Sequence, residues 1–262
     1  MNKLFLTVTI GPDYRLLPRF LKYYRNLGIK DFLVQLNTSD PTPRSFLQKQ
    51  GINTIHSWFE PFSEDRKQFH ERFMIIKNCS SEDWVLYADL DEFQHYPLRL
   101  ETHIKYCEDH GIDYLEGKLT DRVAEEGILA EIPNGFKLED LFPYSGNITN
   151  KLLKAWDKKI VLARAKLIVG GGHHLFLDHK THKPKPYNSK VNRHSTGIEV
   201  HHFKWDIGAI SRMERYSELT CGSLYFWKKE ISRFLEHYHK NAGISITDKR
   251  FKFKKVSKFL NI

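Results

Sequence analysis

Cysteine is scarce in this chain: Cys79, Cys107 and Cys221 stand far apart among 262 residues, with no C-x-x-C pair. An odd number at such spacing excludes a disulfide framework and a zinc knuckle, and points to a reducing compartment. Long apolar runs are missing too. No stretch approaches the roughly 18 apolar residues that a membrane span needs. The apolar start over residues 4–10 is too short for a signal-peptide core and reads as a first buried strand. Internal repeats and linker-like Pro/Gly/Ser stretches are also absent. The expectation is one domain over 1–205, with C-terminal helices and a basic tail over 206–262 packed on it.

Positive charge is plentiful. Lys and Arg number 41 against 32 Asp and Glu, a net of +9, which favours phosphate-bearing substrates, acidic lipid or nucleic acid as partners. The basic residues are spread out except over 249–260, where Lys and Arg alternate with Phe and Leu. Such a segment suits the face of an anionic membrane, or equally a solvated tail that docks in part. No nucleic-acid-binding motif is present, so no nucleic acid is expected. The expected location is cytoplasmic, with peripheral contact at the inner face of the membrane through the 249–260 tail.

The first hundred residues alternate apolar runs with amphipathic stretches. Strands are expected over 4–10, 31–36, 52–59 and 83–88, with helices between them. In the first helix Leu17, Phe20, Leu21, Tyr24 and Leu27 recur at helical spacing, Pro18 sits in the first turn and Gly28 is placed as the cap. Ser63-Glu64-Asp65 opens a long helix whose apolar face is expected at Phe69, Phe73 and Ile76, with Ile75 beside them. This order predicts βαβ units and a mainly parallel sheet, with ligands at the carboxyl ends of its strands. Gly11-Pro12-Asp13, Asn37 to Asp40 and Asp89 to Glu92 emerge there. Beyond Gly111 the pattern changes to short strands, a weakly periodic stretch over 133–158, a long polar loop over 179–194, and helices from Asp206 onward.

Chemistry concentrates at Asp89-Leu90-Asp91. Two carboxylates one residue apart, straight after the apolar Trp84-Val85-Leu86-Tyr87-Ala88, can converge on a hard cation, Mn²⁺ or Mg²⁺. The same cation would bridge a diphosphate. A third ligand is sought in Val200-His201-His202-Phe203-Lys204-Trp205. Alternation sends the two imidazoles to opposite faces, so His202 is taken as the ligand and His201 as the substitute. Lys204 can meet a diphosphate as a point charge. Gly170-Gly171-Gly172-His173-His174 allows close backbone approach to a ligand, on the acceptor side or at a donor sugar, or serves as a hairpin turn alone.

Residues 84–93, with Asp89-Leu90-Asp91-Glu92-Phe93, resemble the D-x-D-E-F segment of family-2-like glycosyltransferases of the GT-A fold. Residues 17–28, Asn37-Thr38-Ser39-Asp40, Asn78-Cys79 and residues 201–205 are similar to further parts of that group. The resemblance implies an α/β fold with a Rossmann-like, mainly parallel central sheet flanked by helices and a C-terminal helical segment. It implies a nucleotide-sugar donor, commonly a uridine diphosphate sugar, used with Mn²⁺ or Mg²⁺ and passed to a glycan or lipid-linked acceptor. Donor contacts would come from Thr9, Gly11, Asp13, Asn37, Asp40 and Asp89, and from Arg66, Lys67 or Arg72 at the start of the helix before the acidic strand. After the next strand, Asp121 first and Glu126 second are candidates for the base that deprotonates an acceptor hydroxyl. A metal-dependent nucleotidyl or phosphoryl transferase also uses paired carboxylates and is the competing enzyme class. A basic nucleic-acid-binding protein is the non-enzymatic one.

Overall fold

The apolar runs and amphipathic stretches settle into thirteen strands and seven α-helices, in a computed structural model that describes residues 2–178, 180–181, 183–185, 197–218 and 224–256. In chain order these are β1 (Leu4–Ile10), α1 (Leu17–Asn26), β2 (Asp31–Leu36), α2 (Thr42–Lys49), β3 (Ile55–Ser57), α3 (Glu64–Asn78), β4 (Trp84–Tyr87), β5 (Glu92–His95), α4 (Leu100–Asp109) and β6 (Tyr114–Val123). There follow α5 (Leu138–Leu141), β7 (Tyr144–Gly146), β8 (Lys158–Arg164), β9 (Ile168–Val169), β10 (Phe176–Leu177), β11 (Pro184–Lys185), β12 (Glu199–His202), α6 (Ala209–Glu218), α7 (Leu224–Asn241) and β13 (Lys254–Lys255). The chain divides into two compact units, one of residues 1–117 and 158–198, the other of 118–157 and 199–262.

In the first unit β1 lies parallel to β2 on one side and to β4 on the other, β2 lies parallel to β3, and β8 closes the series antiparallel to β4. β1, β2 and β4 are buried along nearly their whole length. That is why they read as continuous apolar runs rather than alternating ones. Because these strands run the same way, the loops after β1, β2 and β4 leave from one edge of the sheet. The expected strand over 52–59 is only three residues long, and β5, which follows the acidic segment, was legible only as loop.

Helix α1 fixes what comes after the acidic segment. It starts with Pro18 in its first turn and buries Leu17, Phe20, Leu21, Tyr23 and Tyr24. Gly28 then takes a φ of +95°, a conformation in which a Cβ costs energy. Tyr24 Oη donates to the backbone oxygen of Glu92 at 2.9 Å, and Tyr23 Oη to that of Gln94 at 2.7 Å. Two phenols thereby set the start of β5.

Helix α3 departs from expectation. Phe69 and Ile76 are 66% and 65% exposed, and Phe73 is exposed as well. The buried side is Lys67, His70, Glu71, Met74 and Ile75. Of the expected face Ile75 is buried, but Phe69, Phe73 and Ile76 are not, because charged residues are buried here, each against a partner of opposite sign or a hydrogen-bonding group. The start of this helix follows expectation: Ser63 Oγ accepts from the backbone N–H of Arg66 at 3.2 Å.

Among the strands of the second unit β6 pairs with β7 and β12, and β7 with β13. Its core gathers Trp205, Met213, Ile231, Phe234 and Phe251, packed with Leu152, Leu153 and Ile244. The basic segment is anchored at its beginning. Phe251 is fully buried, and Lys254 and Lys255 are exposed on the edge strand β13. Residues 257–262, Cys221 and most of the 179–194 loop lie outside the described residues, apart from β11 and its immediate neighbours. No helix among the described residues is long and apolar enough to cross a membrane.

Gly127 has a φ of +73°, and a Cβ placed on it would meet the carbonyl oxygen of Ile244 at 1.7 Å. Gly127→Ala is therefore expected to cost more than about 2 kcal/mol, read as a lowered midpoint in chemical denaturation. An unchanged midpoint would mean that this turn opens without cost.

Candidate functional site

Asp89 leaves the carboxyl end of β4, and the turn that follows closes when the Glu92 backbone N–H donates to Asp89 O at 2.9 Å. In return the Asp89 backbone N–H donates to Glu92 Oε2 at 3.3 Å. This brings the Glu92 carboxylate, 2% exposed, beside that of Asp89. The third member is His173, at the end of the glycine-rich turn. Ligand atoms of Asp89, Glu92 and His173 lie within 4.8 Å of one another.

His173 owes its place to the glycines before it. A Cβ on Gly171 would stand 2.7 Å from Glu64 Cβ, so only glycine lets the turn lie against the start of α3. The Gly172 backbone N–H donates to Glu64 Oε2 at 2.8 Å. His173 itself takes a φ of +58°, strained for a residue with a side chain. Its Nε2 lies 3.0 Å from Glu71 Oε2, which places the ring proton on Nε2. The buried Nδ1 then carries a lone pair and has no hydrogen-bond partner among the described residues.

Two buried lysines share the carboxylates. Lys67 Nζ, from α3, donates to Asp89 Oδ1. Lys159 Nζ, from β8, reaches Asp89 Oδ2 at 3.1 Å and Glu92 Oε1 at 2.7 Å. Both side chains are 4% exposed. Burial alone would raise the pKa of Asp89, but Lys159, Lys67 and His173 override it and hold the carboxyl well below the usual range. Burial would likewise strip the proton from Lys67, yet Asp89, Glu64 and Glu71 raise its pKa well above that of a free lysine. For Glu71, His173 and Lys67 outweigh burial and lower it.

The other residues singled out in the sequence divide between the units. In the first, Thr9 Oγ1 donates to Gln35 Oε1 at 3.3 Å and lies 3.5 Å from Glu71 Oε1, directly behind the His173 partner. Asp40 accepts from Tyr14 Oη at 2.7 Å, tying the loop after β2 to the loop after β1. Asp13 is paired with Arg15, and Gly11 faces open space. The Asn37 backbone N–H donates to Ile10 O at 2.8 Å, and Asp91 is partly exposed beside the trio. Arg66 is held by Glu60 and Pro61 O, and Arg72 by the carbonyls of Ala165 and Leu167.

In the second unit the Asp121 carboxylate, 1% exposed, accepts from the backbone N–H and Oγ1 of Thr149, both at 2.7 Å, and from Trp205 Nε1 at 2.9 Å. His202 Nδ1 stands 3.3 Å from Asp121 Oδ1. Against the upward push of burial these contacts lower the Asp121 pKa, so it takes up a proton less readily than a free carboxylate. Glu126 is exposed with a φ of +59°, and Lys204 lies over the Trp205 ring at 5.9 Å. Sequence reasoning did not single out Glu71 and Lys159. For Glu71 a signal existed: Lys67 and Glu71 are four apart on one face of a capped helix. Lys159, inside a strand start, gave none.

No family model and no curated protein matches the chain. Among solved structures it is similar to a 4-diphosphocytidyl-2C-methyl-D-erythritol synthase, at 14% identity over 63% of this chain and 76% of that one, TM-score 0.36. It is also similar to S. aureus TarS 1-349 in complex with UDP-GlcNAc, at 11% identity over 52% and 36%, TM-score 0.32. A third is HddC from Yersinia pseudotuberculosis complexed with GMP-PN, at 11% identity over 63% and 78%, TM-score 0.32. At scores this low the chain's own side chains, and not the likeness, carry the chemistry.

The pKa directions fix how stability should follow pH. Asp89 and Glu71 lie below their unfolded values of about 3.9 and 4.3, so their contribution is complete above those values and is lost as pH falls through the lower folded ones. Lys67 is raised, so its contribution is complete below about pH 10.4 and is lost only as pH rises through its higher folded value. Asp89→Asn strips two buried ammoniums of a shared partner and should cost about 3–5 kcal/mol at neutral pH. It should also flatten part of the acid limb of melting temperature against pH. A variant that melts like the wild type across both limbs would show that the cluster does not hold the unit together.

Proposed function

We propose that the chain is a metal-assisted glycosyltransferase of the GT-A kind. It moves a sugar from a nucleotide-sugar donor, a uridine diphosphate sugar first among them, to a hydroxyl of a glycan or lipid-linked acceptor. One observation carries this reading: Asp89, Glu92 and His173 meet beside two buried ammoniums at the carboxyl edge of a parallel sheet. The residues fit a hard divalent cation, because two carboxylates are joined by an imidazole whose Nδ1 has no partner among the described residues. Behind it Glu71 supplies the carboxylate that commonly orients a metal-bound histidine. Mn²⁺ or Mg²⁺ held there would act as a Lewis acid toward the diphosphate leaving group.

The chain's own part is electrostatic. Lys67 and Lys159 are kept charged by their neighbours and preset, so they can take up charge that grows on a leaving diphosphate without reorganisation. Asp91, one residue beyond Leu90, adds a partly exposed carboxylate for the cation's hydration shell. On the same edge, Thr9, Gly11, Asp13, Asn37 and Asp40 offer the polar loops for a base and ribose, with Gly11 leaving room for close approach. In the second unit the Asp121 oxygens already accept from Thr149 and Trp205, which leaves exposed Glu126 as the better candidate for a general base. The nucleotidyltransferase reading shares the acidic pair but requires a nucleoside triphosphate.

A donor panel separates the two. With Mn²⁺ present, one nucleotide sugar is expected to bind and to be hydrolysed slowly to the nucleoside diphosphate, and chelation should abolish both. Asp91→Asn should remove the turnover and leave the fold intact. Glu71→Gln, which frees the His173 ring, should weaken cation binding by about 10–100-fold. Pyrophosphate release from a nucleoside triphosphate and a sugar phosphate would mark the nucleotidyl reading instead. No donor binding in the presence of metal would overturn sugar transfer.

A further inference from the structure

The carboxylates suited to a divalent cation already hold a cation of the chain's own. Lys159 Nζ bridges Asp89 Oδ2 at 3.1 Å and Glu92 Oε1 at 2.7 Å, while Lys67 keeps the other oxygen of Asp89. Glu92 Oε2 is engaged by the Asp89 backbone N–H. Each of the four carboxylate oxygens is therefore occupied, and the one ligand atom of the trio with no partner is His173 Nδ1. An ammonium and a divalent ion drawn to the same two oxygens would stand within a few ångströms, in a setting where burial screens their repulsion poorly. Each excludes the other from that place.

The two lysines are not equivalent in this respect. Lys67 binds Asp89 alone among the trio and is further neutralised by Glu64 and Glu71 on its own helix. Lys159 alone spans both carboxylates of the trio. It enters from a strand, β8, and its stem of four methylenes gives the head group reach without backbone movement. Three buried or half-buried carboxylates, those of Glu71, Asp89 and Glu92, face two ammoniums, so the acids outnumber the lysines and leave an excess of negative charge among them. That excess still attracts a divalent ion, and the Lys159 head group is the cation that spans both carboxylates it would use.

We propose that Lys159 is a resident cation that exchanges with the divalent metal. In the metal-free protein it neutralises Asp89 and Glu92, and on metal entry its ammonium leaves those oxygens and turns toward the donor's phosphates. This rests on the metal-assisted reading of the same site. It assigns Lys159 a positioning and selectivity role: metal alone binds weakly, and metal with an anionic donor binds well, because the donor gives the displaced ammonium a new partner.

The test is Mn²⁺ binding without nucleotide, followed by calorimetry and by the loss of the free-ion electron paramagnetic resonance signal. Lys159→Gln is expected to bind Mn²⁺ tighter than the wild type by about tenfold or more, and Lys159→Arg, which keeps the charge, to stay as weak as the wild type. Mn²⁺ should also raise the melting temperature of Lys159→Gln by more than that of the wild type, since it replaces the lost counter-charge. Should the Gln variant fail to fold, acetylation of the wild type read by peptide mass spectrometry serves as well. Lys159 is then expected to be protected in metal-free protein, labelled at saturating Mn²⁺ alone, where the displaced ammonium has lost its partners, and protected again when a nucleoside diphosphate is added. Equal or weaker Mn²⁺ binding by Lys159→Gln, or labelling of Lys159 that ignores metal and nucleotide, overturns the exchange. If Glu92→Gln and His173→Phe weaken Mn²⁺ binding while Lys159→Gln does not tighten it, the exchange falls and the metal site stands. If neither Glu92→Gln nor His173→Phe changes Mn²⁺ binding, the metal-assisted reading falls with it.

Discussion

Everything in the first unit's site depends on one carboxylate shared by two buried ammoniums. Asp89 holds Lys67 from a helix and Lys159 from a strand, and so couples α3 to β8 across the end of β4. Taking such charges out of water costs several kcal/mol per ion, which close pairing offsets only when every lone pair and proton finds a partner. Here Glu64, Glu71, Glu92 and backbone N–H groups complete the set. An arrangement of this kind is seldom the cheapest way to make a stable core. Its retention in a buried place is better understood as preorganised charge.

The acidic segment and the parallel sheet were legible because they obey local rules. A strand buried on both faces reads as an unbroken apolar run, and carboxylates straight after it stand out. The first helix was legible for the same reason, down to Pro18 and Gly28. Helix α3 was not. Its apolar stripe of Phe69, Phe73 and Ile76 points outward, and the face that carries Lys67 and Glu71 points in, because a tertiary pairing overrode periodicity. Nothing within fifteen residues of Lys67 tells that an aspartate will neutralise it.

The trio was half legible. Asp89 announced itself, and Glu92 stood only as the end of the acidic loop, since its burial comes from the turn that folds it back onto the Asp89 N–H. His173 sat inside a glycine-rich motif whose chemistry was open between a ligand pocket and a plain turn. What decides it is non-local: the turn lies against Glu64, and Glu71 takes one ring nitrogen. The conspicuous histidine pair at 201–202 belongs to a different network. There His202 faces Asp121, and Arg122, fully buried, bonds Phe142 O and lies by His201.

The way the two units interleave along the chain sets an order of events during synthesis. The first 117 residues carry Asp89, Glu92 and Glu71 with Lys67 as their sole buried ammonium, and β4 without its neighbour β8. Lys159 and His173 emerge only after a forty-residue excursion that belongs to the other unit has been made. Until then the sheet has an open edge and the carboxylates have too little counter-charge, so the nascent half cannot reach its final state by local contacts. Loop closure over that distance puts the last strand late on the folding path. The ribosome thus delivers the acids with one counter-ion first and the second counter-ion last, so the cluster holds both its ammoniums only once β8 is in place.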